Sequence, residues 1–145
     1  MDNYIIAAAS TADVPREYLD EHNIPFISYT FMVDGQVYHD DCREESRQEA
    51  YNRMRAGKIY STAMINTFTY HDFFKKLMEG GQDVIFLDMS KEMSSSHISA
   101  KQAADQIKEE FPNQRLYMMD TLCISGGLGL LLENMVRLRE EGKSY

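Results

Sequence analysis

The sequence predicts an α/β fold, a mostly parallel sheet with helices on both faces. Three observations carry this expectation. Short apolar runs at 4–9, 84–87 and 116–119 alternate with longer segments of helical composition, the order that builds strand–helix–strand units. Val84-Ile85-Phe86-Leu87 is apolar without alternation, as suits a strand covered on both faces. Each of these runs is followed by hydroxyl residues: Ser10 and Thr11, then Ser90 and Ser94-Ser95-Ser96, then Thr121 and Ser125. Ligands of α/β proteins bind beyond the carboxyl ends of the strands, and neutral hydroxyl donors there suit a small polar or anionic group.

Tyr4-Ile5-Ile6-Ala7-Ala8-Ala9 reads as the first buried strand. Asp13 is the expected N-cap of a short helix that has Pro15 in its first turn and runs to about Glu21. After Asn23-Ile24-Pro25, the aromatic and β-branched stretch from Phe26 to Val33 reads as one strand. Asp34-Gly35 is a hairpin turn, and Gln36-Val37-Tyr38 returns from it. Glu44 to Ala56 is helical, with Ala50, Tyr51 and Met54 on one face and Gly57 as C-cap. Lys58 to Thr67 reads as irregular. A helix then starts near Thr69, with Asp72 three residues on, and ends at Gly80-Gly81.

Val84 to Leu87 reads as a central parallel strand, and Ser94 to Glu110 as a helix with apolar positions Ile98, Ala103, Ala104 and Ile107. Leu116 to Met119 is a further strand, and Ser125 to Arg139 forms a leucine-rich last helix. No repeat or low-complexity linker interrupts the pattern, so one domain over 1–145 is expected.

Composition removes several function classes. With 23 acidic against 15 basic residues the net charge is -8. Nucleic acid and acidic membranes need concentrated Lys and Arg, so neither is an expected partner. No apolar run approaches the ~18 residues of a membrane helix, which argues against membrane insertion. Met1-Asp2-Asn3-Tyr4 has no basic region such as opens a secretory leader. The expected location is the cytoplasm, with Cys42 and Cys123 as free thiols. Two cysteines without Cys-x-x-Cys or His-x-x-x-His spacing do not suggest a metal site.

The hydroxyl clusters carry the chemistry. Ser94-Ser95-Ser96 lies between a strand and a helix, where backbone N–H groups and the helix dipole favour an anion. One serine serves as a cap; three exceed what a cap needs. Ser61-Thr62 supplies a second hydroxyl source, and one hydroxyl from each segment can hold the two oxygens of a carboxylate. A Ser94–His97–Asp120 hydrolase is disfavoured. There is no Gly-x-Ser-x-Gly elbow, and His97 would sit in the first turn of the nucleophile's own helix.

His22, His39 and His71 read as surface residues. Gly126-Gly127-Leu128-Gly129 fits neither phosphate-loop pattern and reads as close packing of the last helix on the sheet. A competing class stays open: a phosphotransferase or hydrolase acting on a small phosphorylated or acyl substrate, with Asp13, Asp88 and Asp120 as carboxylates near strand ends. A module whose ligand site has decayed is a third.

Taken in order, these segments resemble the N-terminal domain of the DegV family of bacterial fatty-acid-binding proteins. Ser10-Thr11-Ala12-Asp13-Val14-Pro15 is similar to the family's opening Asp-Ser-Thr-Ala-Asp-Leu-Pro, with Ala9 in place of its first Asp. Val33-Asp34-Gly35, Tyr38 and Asp40 follow its hairpin pattern. The segment from Ser90 to Ala100 resembles its Ser-Ser-x-Leu-Ser-Gly-Thr-Tyr-x-Ser-Ala, with Ser95 and Ser96 where Gly and Thr stand. Asp120-Thr121 and Ser125-Gly126-Gly127-Leu128-Gly129 match its last element. The family's Thr-Ser-Gln-Pro-Ser loop is here Thr62-Ala63-Met64-Ile65-Asn66, which keeps only the threonine.

The resemblance implies a non-enzymatic protein that binds a long-chain fatty acid and presents it to a fatty acid kinase subunit. It places the carboxylate on Thr62 and Ser94. Ser95 and Ser96 would support them, with Ser10, Thr11, Asn66 and Thr121 as further supporting candidates and no metal or cofactor. Met64, Ile65, Met93 and Ile98 are candidates for the pocket mouth. Family members carry a second domain of similar size, so self-association of this half is a further expectation.

Overall fold

In the computed structural model residues 4–145 are described, so the leader reading at Met1-Asp2-Asn3 lies outside the described residues. Four strands, β1 (Tyr4–Ala9), β2 (Phe26–Ile27), β6 (Asp83–Asp88) and β7 (Leu116–Asp120), form a parallel sheet in the order β2-β1-β6-β7. Three more, β3 (Thr30–Val33), β4 (Gln36–His39) and β5 (Ser61–Ala63), form an antiparallel sheet in the order β4-β3-β5. The helices are α1 (Arg16–Glu21), α2 (Glu44–Arg55), α3 (Thr67–Met78), α4 (Ser96–Glu110) and α5 (Gly126–Glu140), and Ser10–Ala12 makes one 3-10 turn.

The central strands explain why the apolar runs lack alternation. Ala7, Ala9, Val84 and Phe86 point into a core shared with Tyr70, Phe74, Ala103 and Ile107 of α3 and α4. Ile6, Ala8, Ile85 and Leu87 point the other way, against Leu19 of α1 and Leu128, Leu132 and Val136 of α5. Both faces are covered, so every second residue cannot be polar. The α3 side is aromatic: the Phe74 and Phe86 rings meet edge to face at 5.2 Å, a preferred geometry.

Four expectations need correction. Phe26–Val33 is two strands, because the chain leaves the parallel sheet after Ile27 and the Tyr29 backbone N–H donates to Ser10 Oγ at 3.1 Å. The segment 58–67 contains β5, which pairs antiparallel with β3 and sets Thr62 opposite Phe31. α3 begins at Thr67 because the Asn66 side chain accepts from the Thr69 N–H at 2.9 Å. Asp13 does not cap α1, which starts after Pro15; Asp13 sits in the left-handed region at φ 52 and closes the 3-10 turn. At the hairpin, Asp34 (φ 52) and Gly35 (φ 76) both take the positive angles of a two-residue turn matched to strand twist.

Of the glycines that open α5, Gly127 and Gly129 serve packing, against a loop and the 3-10 turn, whereas a Cβ on Gly126 would meet nothing within 4 Å. A Cβ on Gly127 would lie 2.9 Å from Cys123 Cβ, and one on Gly129 would lie 3.0 Å from the Ala12 carbonyl oxygen. Gly129→Ala is therefore expected to destabilise the domain by about 1–3 kcal/mol despite alanine's better helix propensity. A denaturant midpoint unchanged or raised by this substitution would contradict the close approach.

Candidate functional site

The sheet's carboxyl ends, the small antiparallel sheet and α2 enclose a cleft of about 840 Å³. Thr62 reaches it from β5, and Ser94 and Ser95 reach it from the loop between β6 and α4. The structure thus brings two hydroxyl segments, more than thirty positions apart in the chain, to one cavity. Ser94 Oγ accepts from the Ser96 N–H at 3.2 Å, a bond that leaves its hydroxyl proton available to donate. The Ser95 hydroxyl is turned toward Met64 Sδ.

Ser96 is fully buried and stands behind this wall, outside the lining. Its Oγ accepts from the Ile65 N–H at 3.2 Å and ties the Thr62 loop to the start of α4. Of the supporting candidates, Ser10 and Thr11 line the cleft. Ser10 Oγ accepts from Tyr29 N, while Thr11 Oγ1 is buried without a partner among the described residues. Asn66 is occupied in capping α3, and Thr121 Oγ1 donates to the Asp88 carbonyl at 2.8 Å; neither lines the cleft. Met64 and Met93 are on the lining, Ile65 belongs to the core, and Ile98 is exposed outside it.

Several lining residues were not among the candidates: Tyr29, Phe31, His39 and Met89, together with Arg47, Tyr51 and Met54 of α2. Their apolar members give the cleft a hydrophobic interior beside its hydroxyl end, the usual make-up of a small-molecule site. The helical spacing of Ala50, Tyr51 and Met54 was a usable signal, but nothing in sequence says what that face meets.

Next in the chain to the lining residue Met89 is a buried acid. Asp88, 2% exposed at the end of β6, accepts from the Tyr70 hydroxyl at 3.2 Å and from Met89 N at 2.8 Å. Burial pushes its ionisation up from 3.8 to about 6, against the lowering effect of these hydrogen bonds. Between those values the folded chain holds a proton that the unfolded chain has released. Stability from this group therefore falls as pH rises from about 4 to about 6, by up to about 3 kcal/mol, and is level above that. The Asp88→Asn variant is expected to lack this slope, so denaturant midpoints of the two proteins should diverge across the window. Parallel profiles would mean that Asp88 is not perturbed.

The Nδ1 of His97 is buried without a partner among the described residues. No group of three or more His, Cys, Asp or Glu among the described residues is placed to hold a metal ion. Cys42 and Cys123 are free thiols, and burial pushes that of Cys42 up to about 12. Among the described residues no helix is long and apolar enough to cross a membrane.

Comparison with known proteins gives a consistent picture. A DegV domain-containing protein of Lactococcus lactis is 30% identical over 142 residues, which cover 96% of this chain and 48% of that protein. One of Clostridium perfringens is 26% identical over 145 residues, 50% of its length. The solved structure of a stearic-acid-binding protein from Eubacterium ventriosum superposes with a TM-score of 0.88 at 27% identity, covering 99% of this chain and 50% of that one. A Thermotoga maritima protein whose structure is described as revealing fatty acid binding gives 0.84 at 25% identity, over 99% of this chain and 51% of that one. The chain thus spans about half the length of the relatives it matches. The family described as "uncharacterised protein, DegV family" matches residues 4–145, and the chain belongs to the DegV family.

Proposed function

We propose that this chain binds a long-chain fatty acid, its carboxylate on the hydroxyls of Thr62 and Ser94 and its tail along the apolar walls of the cleft. The observation that carries this reading is that these two hydroxyl residues, from separate elements, line one cavity that also presents Tyr29, Phe31, Met54, Met64, Met89 and Met93. Ser95 borders the carboxylate position, Thr11 offers a buried hydroxyl without a partner, and Ser96 holds the two loops in register. The stearic-acid-binding relative, at 27% identity, supports the same ligand class.

Hydrogen bonds to a charged group contribute roughly 1.5–3 kcal/mol each, so two of them should favour palmitate over hexadecanol by about 100-fold or more. Titration calorimetry with both ligands tests this, and equal affinity would reject carboxylate recognition.

The protein performs no chemistry in this reading. It presents the bound acid, in the cytoplasm, to a fatty acid kinase subunit, as the family resemblance implies. Turnover of an acyl or phosphoryl substrate by the purified chain would favour the enzymatic alternative. We read the other half of the relatives' length as a second domain set against this one. For this chain alone, exposed Phe68, Leu122 and Leu130 make self-association at high concentration the expected behaviour.

A further inference from the structure

The helix α2 has twelve residues and buries none of them. A helix of that length is marginal in water unless an apolar face packs on something. Its inward face is regular: Arg43 just before it, then Ser46, Arg47, Ala50, Tyr51 and Met54, all lining the cleft. Those positions follow i, i+3, i+4, i+7, i+8 and i+11, the stripe of a helix that docks on a core. The stripe is apolar only in its second half, where Tyr51 and Met54 remain 48% and 44% exposed. Across the cleft stand Met89, Met93 and Ile124. The outward residues, Glu45, Gln48, Glu49, Asn52 and Arg55, are polar or charged.

What holds α2 in place is slight. Ser46 Oγ donates to Asp41 Oδ2 at 2.8 Å, and the Arg53 guanidinium lies 5.7 Å from the centre of the Tyr38 ring. On either side the backbone turns through left-handed residues, Cys42 at φ 61 and Gly57 at φ 87.

We infer that α2 is the tail wall of the fatty-acid site, and that a bound acyl chain packed on Ala50, Tyr51 and Met54 supplies the core this helix lacks. The inference rests on the fatty-acid reading above and adds to it a coupling: occupancy of the cleft orders α2. The occupant is an acyl chain because the stripe faces the interior of the same cavity that holds Thr62 and Ser94. A tail leaving that hydroxyl pair can reach it, and saturated hydrocarbon makes no demand on backbone hydrogen bonding.

The test is amide hydrogen exchange on the full chain with and without palmitate, with binding read separately by native mass spectrometry. The expected result is bound palmitate and exchange at 44–55 slowed by about tenfold or more, with amides of β1 and β6 little changed. Palmitate bound without slowing at 44–55 overturns the coupling and leaves the fatty-acid reading standing. No bound palmitate overturns both. Slow exchange at 44–55 already in the lipid-free chain also overturns the inference, because α2 is then packed by something else.

A second comparison separates wall from headgroup. Substituting serine at both Tyr51 and Met54 removes exposed apolar surface and should spare the fold. It is expected to weaken palmitate roughly 10- to 100-fold while changing octanoate far less. Ser94→Ala should weaken both acids alike. Equal losses for palmitate and octanoate in the α2 variant would overturn the assignment.

Discussion

Replacing Thr62 and Ser94 together with alanine is expected to abolish the proposed palmitate binding in a domain that still folds. Thr62 is exposed on β5, and its ladder pairing with Phe31 is made by backbone. Ser94 is half-buried in a loop, and its side chain accepts from the Ser96 N–H, a bond worth about 0.5–1.5 kcal/mol. The folded state therefore loses little. On the proposed headgroup assignment the complex would lose both charge-assisted bonds to the carboxylate, which corresponds to about 100-fold or more in affinity. Calorimetric titration beside a thermal melt checks both halves. A variant that binds palmitate as tightly as the parent, with an unchanged melt, would remove the headgroup assignment.

The second large effect lies in the core. Phe86 is fully buried at the centre of β6, its ring 5.2, 6.0 and 6.1 Å from those of Phe74, Phe73 and Tyr70. Alanine there leaves a cavity that three other rings from the same helix cannot collapse to fill. The expected cost is about 3–5 kcal/mol, a large share of the roughly 5–15 kcal/mol that stabilises a typical domain. That should lower the melting temperature by about 10 °C or more. Phe86→Leu keeps most of the volume and should cost less than half as much. Similar losses for the two variants would contradict the cavity account, because leucine restores most of the volume without the ring.

These effects also show which parts of the molecule were legible in its sequence. β1 and β6 and the helices packed on them were readable because burial on both faces leaves continuous apolar runs, as in Val84-Ile85-Phe86-Leu87. β7, at the sheet edge with only Leu116 buried, was readable from its apolar run Leu116 to Met119. The hairpin at Asp34-Gly35 was readable because its turn requires residues tolerant of positive φ. β5 was not. Its three residues are all exposed, so no burial pattern marks them, and they are a strand only because β3 lies beside them. The split of Phe26–Val33 was hidden for the opposite reason: residues on both sides of the break favour strands, and the break depends on Ser10, distant in sequence.

The site divides in the same way. The hydroxyl pair could be proposed from the residues and the family resemblance, and the fold sets both residues on one cleft. The resemblance suggested Ser96 as a headgroup ligand, whereas the structure gives it a buried bond to Ile65 N. Residue type could not distinguish a serine that faces the cavity from one a single helical step away that faces the core. Tyr29, Phe31 and α2 entered only with the tertiary structure, since what lines a cleft depends on which elements stand opposite each other.

The most direct test of fatty-acid binding is mass spectrometry of the small molecules released when the purified chain is denatured. About one equivalent of a long-chain fatty acid per chain is expected, lost in the Thr62→Ala, Ser94→Ala double variant. A parent chain that releases no fatty acid, and takes up none when palmitate is supplied, would contradict the account.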